Sequence, residues 1–385
     1  MFENLHYLVV GAGITGSVIA ERIAAVLGER VLLIDKRSHT GGNCHSVLDA
    51  ETGIEVHRYG SHIFHTSIEK VWKYISRFSA FTSYRHKVLI RYGERIFFMP
   101  INLKTLIDFF GKNFSPDQAR ELMAQERGLF PQPRNLEEKA ISLIGRPLYE
   151  TFIAGYTQKQ WGCSPRDLPA DIITRLPVRT NFNTDYFNDP YQGVPKDGYF
   201  TLFDRLLSHP KIEVRTNTDF RSIREYIPSS CLVIYTGMID EYFGHRLGAL
   251  QWRSLSFEWE TLPTSDFQGT TVMNYGDVEV PFTRIHEFKH YHPERRQPFE
   301  LNKTVICREY PATYTPGSEA YYPVNSARNQ ELLAGYQALA KQNPSLLFCG
   351  RLGNYRYWDM DRAIGSALDL FEQEILARGR QNVTP

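Results

Sequence analysis

A run of apolar residues, His6-Tyr7-Leu8-Val9-Val10, passes directly into Gly11-Ala12-Gly13-Ile14-Thr15-Gly16, and no other feature restricts the fold so tightly. The glycines have the GxGxxG spacing. Lacking side chains, they let the backbone turn sharply and approach a pyrophosphate at the N-terminus of the following helix. A helical pattern reaches about Leu27, the apolar run Val31-Leu32-Leu33-Ile34 follows, and Asp35 closes it nineteen residues beyond Gly16. A carboxylate at that place accepts a ribose hydroxyl. GxGxxG alone is weak evidence; strand, turn, helix, strand and acid together predict a dinucleotide-binding βαβ unit.

That unit occupies a small part of 385 residues, a length with room for two or three domains at ~150 residues each. The composition is globular: 42% hydrophobic and 23% charged. With 44 Lys+Arg against 43 Asp+Glu, the balance argues against a nucleic-acid binder but leaves local arginines free to hold a small anion. No apolar run approaches the ~18 residues of a membrane span, so no membrane insertion is expected. Met1-Phe2-Glu3-Asn4 lacks the basic and apolar regions of a secretory signal. Five cysteines without a CxxC pair fit reduced structural thiols, and a cytoplasmic protein is expected.

Lys87 to Met99 reads as a hairpin turning near Tyr92-Gly93-Glu94, and Asn102 to about Gln160 is helical in period. Asn135 with Glu138 marks a helix start, and Pro147 opens the next helix. Ser164 to Asn188 has little periodicity and three prolines, which predicts a long surface loop. Trp252 to Tyr310 reads as an antiparallel sheet; Leu346 to Cys349 reads as a strand before a terminal helix from about Asp361. The fold class is therefore α/β: a Rossmann-like dinucleotide-binding domain, assigned to FAD below, with an inserted helical domain and an antiparallel sheet domain. The boundaries are 1–77, 200–240 and 323–385 for the first; 102–188 for the second, including the loop at 164–188, which the resemblance described below makes a mobile substrate loop; and 78–101, 189–199 and 241–322 for the third.

Three features favour FAD over NAD. Gly41-Gly42 follows Asp35 as in the extended fingerprint of large FAD-binding folds, Thr236-Gly237 resembles their middle motif, and Gly350-Arg351 their C-terminal one. The resemblance then becomes specific. Gly60 to Thr66, Phe152 to Trp161, Leu168 to Phe187, Val272 to Tyr275 with Pro281 to Arg284, and Gly350 to Asp361 resemble bacterial UDP-galactopyranose mutases in order and along nearly the whole chain. The likeness implies a three-domain, homodimeric flavoenzyme. It interconverts UDP-galactopyranose and UDP-galactofuranose through a covalent N5-flavin–sugar adduct of reduced FAD, without net redox change. An external donor, NAD(P)H or a reductase, would reduce the flavin.

Carried over residue by residue, the resemblance assigns cofactor contacts to Gly11, Gly13, Ile14, Thr15, Gly16, Asp35, Lys36, Arg37, Gly42 and Asn43. It adds Tyr59, Gly60, His62, Ile63, Thr236, Gly237, Gly350, Arg351, Tyr357, Asp359 and Met360. Phe152, Tyr156, Thr157, Trp161 and Tyr186 would form the uridine pocket, with Tyr186 stacked on uracil and Asn274 in polar contact. Tyr322 and Tyr357 would reach the diphosphate. Arg175 and Arg284 would clamp it and stabilise charge on the departing UDP, and His62 would sit near the isoalloxazine, its protonation following flavin redox state. Read alone, the aromatic stripe suits a core, and each arginine a solvated surface. The spacing of His62 and His65 suits a metal, but no third ligand has a matching relation, and no metal is expected. Three departures from the family pattern stand out. Asp35 replaces the usual Glu, Thr82 to Lys87 lacks the expected Asn, and Gly248 to Arg253 is lengthened. The last two bear on the sugar, and a mutase acting on UDP-N-acetylgalactosamine or dTDP-fucopyranose is the alternative, with a flavin oxidase behind it.

Overall fold

The computed structural model describes residues 2, 4–125, 129–175, 177–295 and 301–381, the side chains of 174, 175 and 379–381 excepted. Five parallel strands form one sheet in the order Leu346–Phe348, Leu232–Tyr235, Tyr7–Val10, Val31–Ile34, Ile212–Arg215. Its three central strands are apolar on both faces, as a parallel sheet covered on both sides requires. Val9, Leu33 and Ile234 pack beneath helices Ile14–Arg22, Tyr199–Leu206 and Met360–Leu370, through Val18, Leu202, Phe203, Ile364 and Leu368. Leu8, Leu32 and Val233 face the opposite layer with Phe220. Each fully buried aliphatic chain contributes roughly 1.5–3 kcal/mol, so this core anchors both chain ends in one unit.

The glycine-rich turn depends on a missing side chain at two positions. Gly11 has φ of 102°, and a Cβ on Gly16 would lie 1.9 Å from the Gly11 carbonyl oxygen. Gly16 therefore sets how closely helix and strand approach; it is buried and, unlike Gly11 and Gly13, does not line the large cleft beside the turn.

A seven-stranded sheet runs in the order Tyr322–Pro323, Trp252–Leu262, Thr304–Thr313, Arg284–Glu287, Val272–Tyr275, Val88–Tyr92, Arg95–Met99. It is antiparallel except where Val272–Tyr275 lies parallel to Val88–Tyr92, the point at which the hairpin from before the helices joins the sheet. Segment 189–199, grouped with this sheet from sequence, instead supplies strand Tyr191–Gly193, paired with Phe64–Thr66.

The helices Leu103–Phe110, Pro116–Ala124 and Leu136–Ile144 share a core with the hairpin, Leu106 and Ile141 packing with Ile90 and Phe97. The Asn135 side chain caps the third helix, accepting from Glu138 N at 2.9 Å, an interaction worth about 1 kcal/mol. Helix Arg146–Tyr149 continues through a π-helical turn at Glu150–Ala154 into Gly155–Trp161. Such turns widen a helix by one residue and commonly mark functional sites. The stretch 164–188 is less irregular than its composition suggests, since it holds two 3₁₀ turns, Pro165–Asp167 and Ala170–Arg175. No helix among the described residues is long and apolar enough to cross a membrane.

Candidate active site

The parallel sheet, the seven-stranded sheet and the helices meet around one cleft of about 2480 Å³, several times the ~300–1,000 Å³ of a single small-ligand site. At one end lies the glycine turn. A Cβ on Gly11 would meet Thr236 Oγ1 at 2.1 Å, one on Gly42 would meet Gly13 Cα at 2.8 Å, and one on Gly350 would meet Thr15 Oγ1 at 3.0 Å. Three strand ends thus converge at positions with no room for a side chain. Asp35 accepts from Ala12 N at 2.7 Å and Arg37 N at 2.8 Å, so its carboxylate also staples the turn. Arg37 bonds Asn43 at 2.8 Å, pairs with Glu319 and stacks over the Tyr59 ring. Lys36, Ile14, Gly60, Ile63 and Gly237 line the same cleft. Cys44 lines it too, but burial pushes its thiol up to about 12 and keeps it protonated.

His62, His65, Arg351, Tyr357, Asp359 and Met360 continue the lining. His62 Nδ1 donates to the Gly60 carbonyl at 2.7 Å, which fixes the tautomer of the neutral ring and leaves Nε2 as acceptor. Burial pulls the imidazole down to about 4, the nearby Arg351 adding to the effect, so the ring is neutral near pH 7. His65 Nδ1 lies 2.6 Å from Asp189, and its ring stacks on Phe187 at 3.6 Å. The Arg351 guanidinium donates to the carbonyl of Trp358 at 3.0 Å and to that of Tyr321 at 3.2 Å, which holds it across the terminal motif.

At the far end, Tyr156, Thr157 and Trp161 project from helix Gly155–Trp161 and line the cleft with Tyr186, Asn274 and Tyr322. Phe152 also lines it but is 1% exposed and packs edge-on against Phe97 and Phe109, so most of its surface belongs to the core. The Arg284 guanidinium bonds the Tyr156 hydroxyl and lies 3.3 Å from Glu309 Oε1. Glu309 Oε2 accepts from His286 Nε2 at 3.1 Å, and His286 Nδ1 accepts from Ser61 at 2.6 Å. Burial alone would raise the Glu309 carboxyl; Arg284, with His286 and Thr283, overrides it and holds it down at about 2. The result is an ionised pair at the cleft, its carboxylate buried and its guanidinium partly exposed. The Arg175 side chain lies outside the described residues, while Asp171, Ile172 and Ile173 of its 3₁₀ turn line the cleft.

Comparison with known proteins decides the relationship. A family model described as UDP-galactopyranose mutase matches residues 151–357, and one described as NAD(P)-binding Rossmann-like domain matches 9–78. A probable UDP-galactopyranose mutase of Klebsiella pneumoniae is 38% identical over all of this chain and 98% of its own length. The chain belongs to the UDP-galactopyranose mutase family. A dTDP-fucopyranose mutase of Escherichia coli is 37% identical over 94% of the chain and 96% of its own length. Among solved structures, a reduced UDP-galactopyranose mutase superposes with a TM-score of 0.75 at 13% identity, covering 97% of this chain and 94% of that one; this likeness concerns the fold.

Within the family framework, the structure adds residues that the sequence reading missed. Ser61, His286 and Glu309 behind Arg284 come from three distant segments, and nothing in their local pattern signals a shared network. Gln160 Oε1 and Asn274 Oδ1 are buried at the cleft and find no hydrogen-bond partner among the described residues. Buried amides in this state are uncommon and call for a partner, such as a bound ligand or water. Both segments that depart from the family pattern reach the cleft: the first through His86, edge-on to Tyr186, and the second through Ala249 to Arg253.

Proposed function

We propose that this chain is a flavin-dependent mutase interconverting UDP-galactopyranose and UDP-galactofuranose. The observation that carries the reading is the continuity of one cleft between a cradle built from glycine backbone and a partly buried cation, Arg284, flanked by the unpartnered Asn274 Oδ1. The cradle fits FAD: glycine keeps the approach at Gly13, Gly42 and Gly350 free of side chains, and the N-terminus of helix Met360–Leu370 opens on the cleft beside Asp359. Asp35, Arg37, Asn43 and Tyr59 would hold the adenosine and phosphate half, and His62, Arg351 and Tyr357 the ring half.

Reduced FAD supplies an electron-rich nucleophile for the sugar's anomeric carbon. The chain's own part is binding and charge. Arg284 offers a guanidinium fork to the diphosphate, and its interaction strengthens as UDP departs. Arg175, in the matched loop, is proposed as the second cation. Tyr186 stacks on the base, Asn274 offers the polar contact, and Tyr322 and Tyr357 present hydroxyls to the phosphates. Substrate and product are isomers, so no electrons are consumed. A cytoplasmic homodimer reduced by NAD(P)H or a reductase completes the proposal; five unbridged cysteines support a reducing compartment.

A second reading, a mutase for dTDP-fucopyranose, is favoured by the near-equal identity to that relative and by the two departing segments at the cleft. The test incubates the dithionite-reduced protein separately with UDP-galactofuranose and dTDP-fucofuranose and follows the sugars by chromatography. Pyranose from the first, only with reduced flavin, is expected; preferential conversion of the second supports the alternative. Conversion that needs a stoichiometric electron acceptor, or no conversion of either, contradicts both.

A further inference from the structure

Residues 276–283 connect the strand bearing Asn274 to the strand bearing Arg284. Four backbone carbonyls in and beside this connection converge on one atom. Lys159 Nζ lies 2.8 Å from the oxygen of Tyr275, 2.7 Å from Asp277, 3.0 Å from Val280 and 3.1 Å from Phe282. An ammonium has three N–H groups and no acceptor, so four acceptors share three protons and the connection is shaped around a charge. Rings of carbonyls can replace the hydration shell of a small monovalent cation. Lys159 belongs to helix Gly155–Trp161, whose Tyr156, Thr157 and Trp161 line the cleft. The same helix touches the connection at a second point, since a Cβ on Gly155 would lie 2.5 Å from the Gly276 carbonyl oxygen. On its other side Asp277 accepts from Gly93 N at 3.0 Å, fastening the connection to the first hairpin.

We propose that Lys159 is a positioning residue whose ammonium is the resident cation of a four-carbonyl site, and that this site fixes the distance between the aromatic wall and the Asn274–Arg284 wall of the cleft. Its effect on nucleotide affinity rests on the function proposed above; the cation site itself does not. Removing the side chain leaves four carbonyls without their donor, and an exogenous cation of similar size can take its place.

The test uses the flavin-loaded Lys159→Ala protein. Melting temperature and calorimetric affinity for UDP are measured in ammonium, propylammonium or potassium chloride, with tetramethylammonium chloride at equal ionic strength as the control. In tetramethylammonium the variant is expected to melt earlier and bind UDP about tenfold more weakly than the parent, with flavin retained. Propylammonium or ammonium should restore most of both losses and leave the parent unchanged. Lys159→Met, which fills the channel without a charge, should show the losses and no rescue. Parent-like behaviour of Lys159→Met, losses indifferent to the cation, or a Lys159→Ala protein that folds in none of these salts would each overturn the proposal. A parent that binds no UDP breaks the reading of function, and the melting series still decides this one.

Discussion

The two ends of the cleft are built by different means. The cradle is backbone: Gly11, Gly42 and Gly350 bring strand ends and loops together by lacking side chains, and Asp35 fastens the turn through Ala12 N. The Arg284 end is side-chain charge: a guanidinium, a carboxylate, an imidazole and a hydroxyl from separate stretches of chain, held together by burial. The first end is therefore sensitive to added atoms, and the second to lost charge.

Substitutions at the two ends sharpen that contrast. The largest effect is expected for Gly16→Val, whose Cβ would sit 1.9 Å from the Gly11 carbonyl; the helix must leave the sheet, costing more than about 4 kcal/mol, and the protein should be recovered without flavin or not at all. Gly13→Ala meets its nearest neighbour only at 3.7 Å, so it should keep its melting temperature while losing cofactor, read as flavin absorbance after gel filtration. Parent-like cofactor content in both would remove the cradle from the account.

At the other end, Glu309→Gln removes the buried carboxylate facing Arg284, whose side chain is 29% exposed, and a loss of roughly 1–3 kcal/mol is expected, below the ~3–5 kcal/mol of a fully buried pair because solvent screens the cation. Denaturant unfolding measures it, and a change below about 1 kcal/mol would mean the pair is solvated. Acid should also destabilise the fold. Burial lowers His57 and His86 to about 3 and His62 to about 4. Between their folded values and ~6.5 the unfolded chain binds more protons. Stability should therefore fall as pH drops below about 6.5, by roughly 1 kcal/mol per pH unit for each ring, and Glu309 and Glu55, both held at about 2, extend the loss below ~4. A flat melting temperature from pH 7 to 5 would contradict the burial of these rings. The smallest effect is expected at Asn274→Ala, where one contact to the nucleotide is lost and UDP affinity should fall about tenfold, near ~1.4 kcal/mol, with stability unchanged.

This division also explains what could be read from the sequence. The cradle, the hairpin Val88–Tyr92 with Arg95–Met99, and the Asn135 cap follow from residues close in the chain, where period and turn chemistry act. The Glu309–His286–Ser61 network has no local signature, because a buried charge is recognised only by the partner that folding brings to it. The parallel join of Val272–Tyr275 to Val88–Tyr92 was hidden for the same reason: the helical insertion and much of the parallel sheet lie between them in the chain, and nothing in either strand names the other. The lowered basicity of His62 comes from desolvation, which the sequence does not reveal.

The central claim is that a cation at one end of a shared cleft acts on a nucleotide sugar while the glycine cradle at the other end holds the flavin. Arg284→Ala tests it most directly, by measuring flavin content and the rate of UDP-galactofuranose conversion by the reduced protein in one preparation. Full flavin occupancy is expected, with a rate lowered at least ~100-fold, the scale set by removing one preorganised donor to a developing anion. A near-parental rate with flavin bound, or loss of flavin together with activity, would contradict it.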